Sequence, residues 1–267
     1  MADVNASRAT APVAVAFPSL HEPEPLLVPA RYWPPRRAEH GVVVIAHGSA
    51  GPDSRGPALA AALARLGIGS LELDMWAPRG LKGGLDRPKS IPETLPDVFG
   101  AFVWLSQRAE VDPARIGIAG FSWGGVLAML TATRPYAERF LPEGARFAAH
   151  APFYPVAWAY NRVPGLEFAE LTGAPVLLQC GALDAYDPAG APERLNDETQ
   201  ARAPGVLRLI VHEDATHAFD RDGPDLTVRD PFAHGGQGGE VLFAANPRAT
   251  EAARRAAVEF FSEIWSA

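Results

Sequence analysis

Apolar and polar positions along this chain fall into short strand-like runs separated by helix-like ones. Residues 13–17 and 26–33 keep polar positions on their outer side and predict an antiparallel pair at a sheet edge. Residues 41–46 form an unbroken, β-branched run of the kind buried on both faces of a parallel sheet. A helix at 57–66 follows, closed by Gly67, then a strand at 70–74 and a helix at 96–109. The apolar run 115–119 reads as a strand and 126–132 as a helix. Three more strands are expected at 146–149, 175–181 and 206–212, and an amphipathic helix at 250–265 after Asn246-Pro247. This alternation predicts an α/β fold with a mainly parallel, doubly wound sheet of about eight strands and helices on both faces. Residues 25–267 are expected to form a single domain and residues 1–24 an N-terminal extension. Two long stretches, 78–96 and 218–246, carry no regular pattern, and loops of that length commonly wall an active site.

Composition narrows the partners. A net charge of −7 argues against nucleic acid or an anionic membrane as a partner. Cys180 is the single cysteine, so no intrachain disulfide can form. No stretch of eighteen apolar residues exists to span a bilayer, and the run 11–17 is too thin for a secretion signal. The expectation is a cytoplasmic protein, a monomer or small homo-oligomer, acting on a small molecule.

Chemistry concentrates where the 115–119 strand meets its helix. Gly120-Phe121-Ser122-Trp123-Gly124-Gly125 places Gly-x-Ser-x-Gly at that junction, the pattern of a nucleophile elbow. The turn holds the serine in a strained conformation and projects its hydroxyl above the sheet edge. A serine hydroxyl needs a base, and the base needs a group that fixes its tautomer. In this chain order the acid and then the histidine follow the serine. His21, His40 and His47 precede Ser122, His150 precedes any suitable acid, and His212 lies inside a strand pattern. His217 has left that strand and is the expected base, with His234 as runner-up. The acid should end the preceding strand, where Gly181-Ala182-Leu183-Asp184 frees a turn and supplies Asp184; Asp187 is its competitor, with a helix cap as its plainer role.

Acyl transfer also needs donors aimed at the developing oxyanion. One is expected from the Trp123 N–H, directly after the nucleophile. The other is expected from the loop His47-Gly48-Ser49-Ala50-Gly51, with the Ser49 amide as donor and the His47 ring bracing the loop. Trp76, Phe153, Tyr154, Trp158 and Tyr186 sit in loops where aromatic side chains would line a substrate pocket.

Strand-His47-Gly48, the Ser122 elbow, Gly181-x-x-Asp184 and His217-Ala218-Phe219 together resemble the dienelactone hydrolase family of α/β-hydrolases. The similarity of motif order runs from about residue 25 to the C-terminus and takes in 74–80 and 151–155. The resemblance implies an α/β-hydrolase domain without a large cap, no cofactor or metal, and attack on carboxylic esters or lactones. Enzymes that cleave dienelactone itself carry a cysteine nucleophile and a glutamate near the loop after the third strand; this chain has Ser122 and His47-Gly48 there. A general esterase is therefore expected. The family also holds anionic substrates with basic residues near the pocket; Arg79 and Lys82 are the cations available for that here, with a solvated loop charge as the plainer reading. Other readings on the same scaffold are a peptidase of the prolyl-oligopeptidase type, an acyltransferase or perhydrolase, and a non-catalytic binding protein.

Overall fold

In the computed structural model, which describes residues 11–266, β1 (Val13–Pro18) and β2 (Leu27–Trp33) pair antiparallel. The parallel strands are β3 (Val42–Ala46), β4 (Gly69–Leu73), β5 (Ile116–Phe121), β6 (His150–Phe153), β7 (Val176–Gly181) and β8 (Leu207–His212). They form one eight-stranded sheet in the order β1-β2-β4-β3-β5-β6-β7-β8, in which only β2 runs against the rest. Every residue of β3, β5 and β7 is buried, because helices cover both faces of the parallel centre.

The strand period of two divides the core. Val42, Val44 and Ala46 point into one cluster, with Phe99 and Phe102 of α2 (Leu95–Ser106) and Val126 and Leu127 of α3 (Trp123–Leu130). Val43 and Ile45 point into the other, with Leu59 and Leu63 of α1 (Arg55–Arg65) and Phe261 of the C-terminal helix. The remaining helices are α4 (Arg134–Phe140), α5 (Ala191–Arg202), the single turn α6 (Ala233–Gly236) and α7 (Pro247–Ser266). Strand order reverses between β3 and β5, so the crevice of this open sheet lies at the carboxyl ends of those two strands. Among the described residues no helix is long and apolar enough to cross a membrane.

Four expectations change. The boundary at residue 25 falls inside the sheet, because Val13–Pro18 is its edge strand; residues 1–10 of the expected extension lie outside the described residues. The strand expected at 146–149 is instead His150–Phe153. Pro152 lacks a ladder N–H, and β6 registers with β7 only at His150 and Phe153, on either side of it. No helix was expected near 191–202, since α5 buries only a thin stripe that includes Ala191, Leu195 and Thr199. The stretch 218–246 holds an antiparallel hairpin, β9 (Leu226–Asp230) with β10 (Gly239–Phe243).

Candidate active site

Ser122 sits between the end of β5 and the start of α3 with φ 50° and ψ −107°, a conformation that L-residues adopt only under strain. The elbow is feasible because its neighbours lack side chains. A Cβ on Gly120 would lie 2.0 Å from the Gly124 carbonyl oxygen, and one on Gly124 would lie 2.1 Å from that of Ala46. The strand-to-helix turn therefore closes only with glycine at both places.

The structure brings Ser122, His217 and Asp184 together from three different strand ends. His217 Nε2 lies 2.8 Å from Ser122 Oγ, and His217 Nδ1 lies 2.7 Å from Asp184 Oδ2. Asp184 also accepts the Tyr186 N–H at 2.9 Å, which fixes its carboxylate plane. Asp184 is 4% exposed and His217 1%, while Ser122 is half-buried at the floor of the crevice. The imidazole is packed by the rings of Tyr186, Tyr154 and Phe243, at 4.4, 4.8 and 5.4 Å between centroids. Asp187 does not reach His217: it accepts the N–H groups of Ala157 and Trp158 and pins that loop. Burial and the adjacent Asp184 charge hold its carboxyl well above the usual range. His234 turns away to the Glu240 carbonyl.

The loop after β3 is braced from several sides. His47 Nδ1 donates to the Gly48 carbonyl at 2.7 Å, and the Gly51 N–H reaches the same oxygen at 3.0 Å. His47 Nε2 accepts the Met75 N–H at 3.0 Å, so both ring nitrogens are satisfied in one neutral tautomer. Burial pushes the His47 pKa down to about 4, which keeps it in that form. A trans peptide points its N–H opposite to its C=O, so anchoring the Gly48 oxygen fixes the direction of the Ser49 N–H. The Ser49 carbonyl is held in turn by Trp76 Nε1 at 2.9 Å and the Gly84 N–H at 2.8 Å. Trp123 is the first residue of α3, so its N–H has no acceptor within the helix.

A cavity of about 610 Å³ opens over Ser122 and His217, with Gly48–Ala50 on one side and the β9–β10 hairpin on the other. Of the aromatic residues expected in its walls, only Tyr186 lines it. Trp76 lies buried beneath the loop after β3, Phe153 and Tyr154 lie under the elbow and His217, and Trp158 packs against Gly236. Phe153 is the last residue of β6, and Tyr154 and Trp76 follow their strands by one and three residues, so these rings are drawn into the core instead of the crevice. Arg79 also faces away: it donates to Asp97 Oδ2 at 2.7 Å and to the Met75 carbonyl, forming a buried ion pair. Lys82 is exposed outside the cavity.

The cations that do line the cavity were not singled out by sequence. Arg87 pairs with Asp230 at 2.9 Å, and its guanidinium lies 5.8 Å over the Trp123 ring. Arg55 contacts Asp53 at 2.6 Å and donates to the Tyr154 hydroxyl at 2.9 Å; that hydroxyl donates to Asp220 at 2.5 Å. This chain of bonds ties the segment after the Ser49 loop to the His217 loop across 99 and 66 residues of sequence, and no local signal announces it. The hairpin did leave a signal: the alternation Leu226-Thr227-Val228 and the glycines before Val241 are hairpin chemistry. Among the described residues no grouping of His, Cys, Asp or Glu could hold a metal ion, and Cys180 is a buried free thiol inside β7.

A model of the dienelactone hydrolase family matches residues 79–265. An uncharacterized protein of Mycobacterium tuberculosis is 34% identical over 172 residues, covering 61% of this chain and 60% of that protein. The chain thus matches less than two thirds of that relative's own length. Esterase 2 of Thermogutta terrifontis superposes with a TM-score of 0.64 at 19% identity, over 96% of this chain and 95% of that one. Dienelactone hydrolase from Anabaena variabilis superposes with a TM-score of 0.56 at 20% identity, over 95% and 99%. At those identities the two structures establish the α/β-hydrolase fold, here without a large cap domain. With the family model spanning most of its length, the chain belongs to the dienelactone hydrolase family of hydrolases.

Proposed function

We propose that this protein hydrolyses carboxylic esters or lactones through an acyl-enzyme on Ser122. The observation that carries this reading is the serial pair of hydrogen bonds, 2.8 Å from His217 to Ser122 and 2.7 Å from His217 to Asp184. As Ser122 Oγ attacks the carbonyl carbon, His217 Nε2 takes its proton, and the buried Asp184 carboxylate stabilises the imidazolium. The carbonyl electron pair moves onto oxygen, where the Trp123 and Ser49 amides receive it; each such donor lowers the barrier by roughly 3 kcal/mol. The tetrahedral intermediate collapses, the alkoxide takes the proton from His217, and the alcohol departs. Water then repeats the sequence on the acyl-enzyme, freeing the acid and restoring Ser122. The reading includes a cytoplasmic location, which cell fractionation tests.

A serine nucleophile, in place of the cysteine of the family's namesake, favours general ester cleavage over dienelactone. Thermogutta terrifontis esterase 2, which shares the fold, is phosphorylated by paraoxon, and a reagent of that kind suits the present chain. The test is p-nitrophenyl acetate hydrolysis by the native protein and by Ser122→Ala. A fall in kcat on the order of a million-fold is expected from losing the nucleophile. A variant that hydrolyses the ester at a comparable rate would place the chemistry elsewhere.

A further inference from the structure

The hairpin supplies a wall of the cavity that no part of the triad explains. We propose that it is the seat of the alcohol portion of the substrate, and that this portion is apolar and uncharged; the inference rests on the ester reading above. The strand period puts Leu226, Val228 and Asp230 on one face of β9, and the register sets Phe243 beside Leu226 and Val241 beside Val228. Leu226, Val228 and Phe243 line the cavity, while Val241 packs with Tyr186 behind them. The stripe is not filled from within the protein. Leu226 is 45% exposed, and Leu85, across the mouth on the facing loop, is 71% exposed. Two large aliphatic side chains open to solvent at the lips of one cavity suit an apolar group that enters it.

The buried and half-buried charges at the inner end of this wall are paired, and the unpaired ones lie at its rim. Asp230, at the end of the stripe, is held by Arg87 and accepts the Phe232 N–H and the Tyr186 hydroxyl. Arg55, near the nucleophile, is neutralised by Asp53. Asp222 and Arg229 face solvent at the rim, and Arg221 donates to the Pro224 carbonyl. The two cations that pack on the elbow, Arg55 over Phe121 and Arg87 over Trp123, are both ion-paired, so the inner cavity suits a neutral ester better than a carboxylate-bearing one.

The side of the scissile bond follows from the base. His217 Nε2 must reach both Ser122 Oγ and the departing oxygen, so the alcohol leaves past the imidazole. The carbonyl oxygen points the other way, toward the Ser49 and Trp123 amides. Phe243 and Tyr186 pack directly on the His217 ring, and the hairpin continues outward from them. A chain running from the leaving oxygen along this wall therefore belongs to the alcohol.

Two isomeric esters, hexyl acetate and ethyl hexanoate, separate the possibilities, since they differ only in which arm carries the long chain. A fully buried methylene is worth about fourfold in kcat/KM, so partial burial of the hexyl arm predicts a preference for hexyl acetate of about tenfold or more. Leu226→Asn and Leu85→Asn, both at exposed positions, are read through the same ratio, which cancels any loss of folded protein. A lowered ratio in either variant supports the proposal. Preference for ethyl hexanoate, no preference, turnover of neither isomer, or a ratio unchanged in both variants overturns it. p-Nitrophenyl acetate is assayed alongside. If the native protein cleaves it while the isomer result is adverse, only the alcohol site falls; if it cleaves none of the three, the ester reading falls as well.

Discussion

The Nδ1–H of His47 donates to the Gly48 carbonyl at 2.7 Å, and that contact sets the direction of the next amide, Ser49 N–H. A residue outside the cavity lining thus aims one of the two amides proposed to receive the oxyanion. His47→Ala is predicted to lower kcat by roughly a hundredfold, the usual effect of losing one such donor. KM should move less, because the lost interaction strengthens only in the transition state. Steady-state kinetics on p-nitrophenyl acetate check this, and an unchanged kcat in folded variant protein would contradict it.

Arg79→Leu is expected to act on stability and not on substrate choice. Its partner Asp97 is fully buried, so removing the guanidinium strands a carboxylate at a cost on the order of 3 kcal/mol. Denaturant titration should show that loss. KM values for neutral and carboxylate-bearing esters should keep their ratio; a selective rise for the anionic ester would return Arg79 to the binding site.

Tyr154→Phe removes the hydroxyl that links Arg55 to Asp220 while leaving the ring against His217. Both partners are then left short of a hydrogen bond in a buried place, a loss of about 1–3 kcal/mol. Thermal denaturation should register it. A variant as stable as the native protein would mean that the link contributes little to holding the two loops together.

The pH dependence of stability has a defined sign at His150. Burial pushes its pKa down to about 4, so between pH 6.5 and 4 the unfolded chain binds more protons than the folded one. Its contribution is complete above pH 6.5 and is lost as pH falls toward 4. Glu72 and other buried carboxyls with raised pKa values act in the opposite direction, so the native profile alone does not isolate the histidine. The difference between native and His150→Leu does. The variant should be less destabilised at pH 5 than at pH 7 by about 2 kcal/mol, and a pH-independent difference would show that His150 titrates normally.

The motifs were legible because their chemistry is local. The elbow needs glycine two residues either side of Ser122, and Asp184 and His217 each follow a recognisable strand, so their order in the chain predicts their meeting at one sheet edge. The pocket was less legible because it is made by contacts distant in sequence. Nothing near Arg79 announces that Asp97 will bind it, nor does anything near Tyr154 announce Arg55 and Asp220. Position in a loop after a strand made Trp76, Phe153 and Tyr154 look like pocket walls, yet they are drawn under the elbow and the loop after β3. Leu226, Val228 and Phe243 carried a readable alternation, which the length of the surrounding glycine-rich stretch obscured. Pro152 hid a central strand for a simpler reason: it breaks the ladder it belongs to.

Covalent labelling addresses Ser122 most directly. The folded native protein is treated with a fluorophosphonate, whose phosphorus the serine oxygen attacks as fluoride departs, and the modified peptide is located by mass spectrometry. One phosphonyl group on Ser122 is predicted, with no labelling of Ser122→Ala and greatly slowed labelling of His217→Ala. Folded native protein that remains unlabelled, or that carries the group on another residue, would contradict a nucleophilic Ser122.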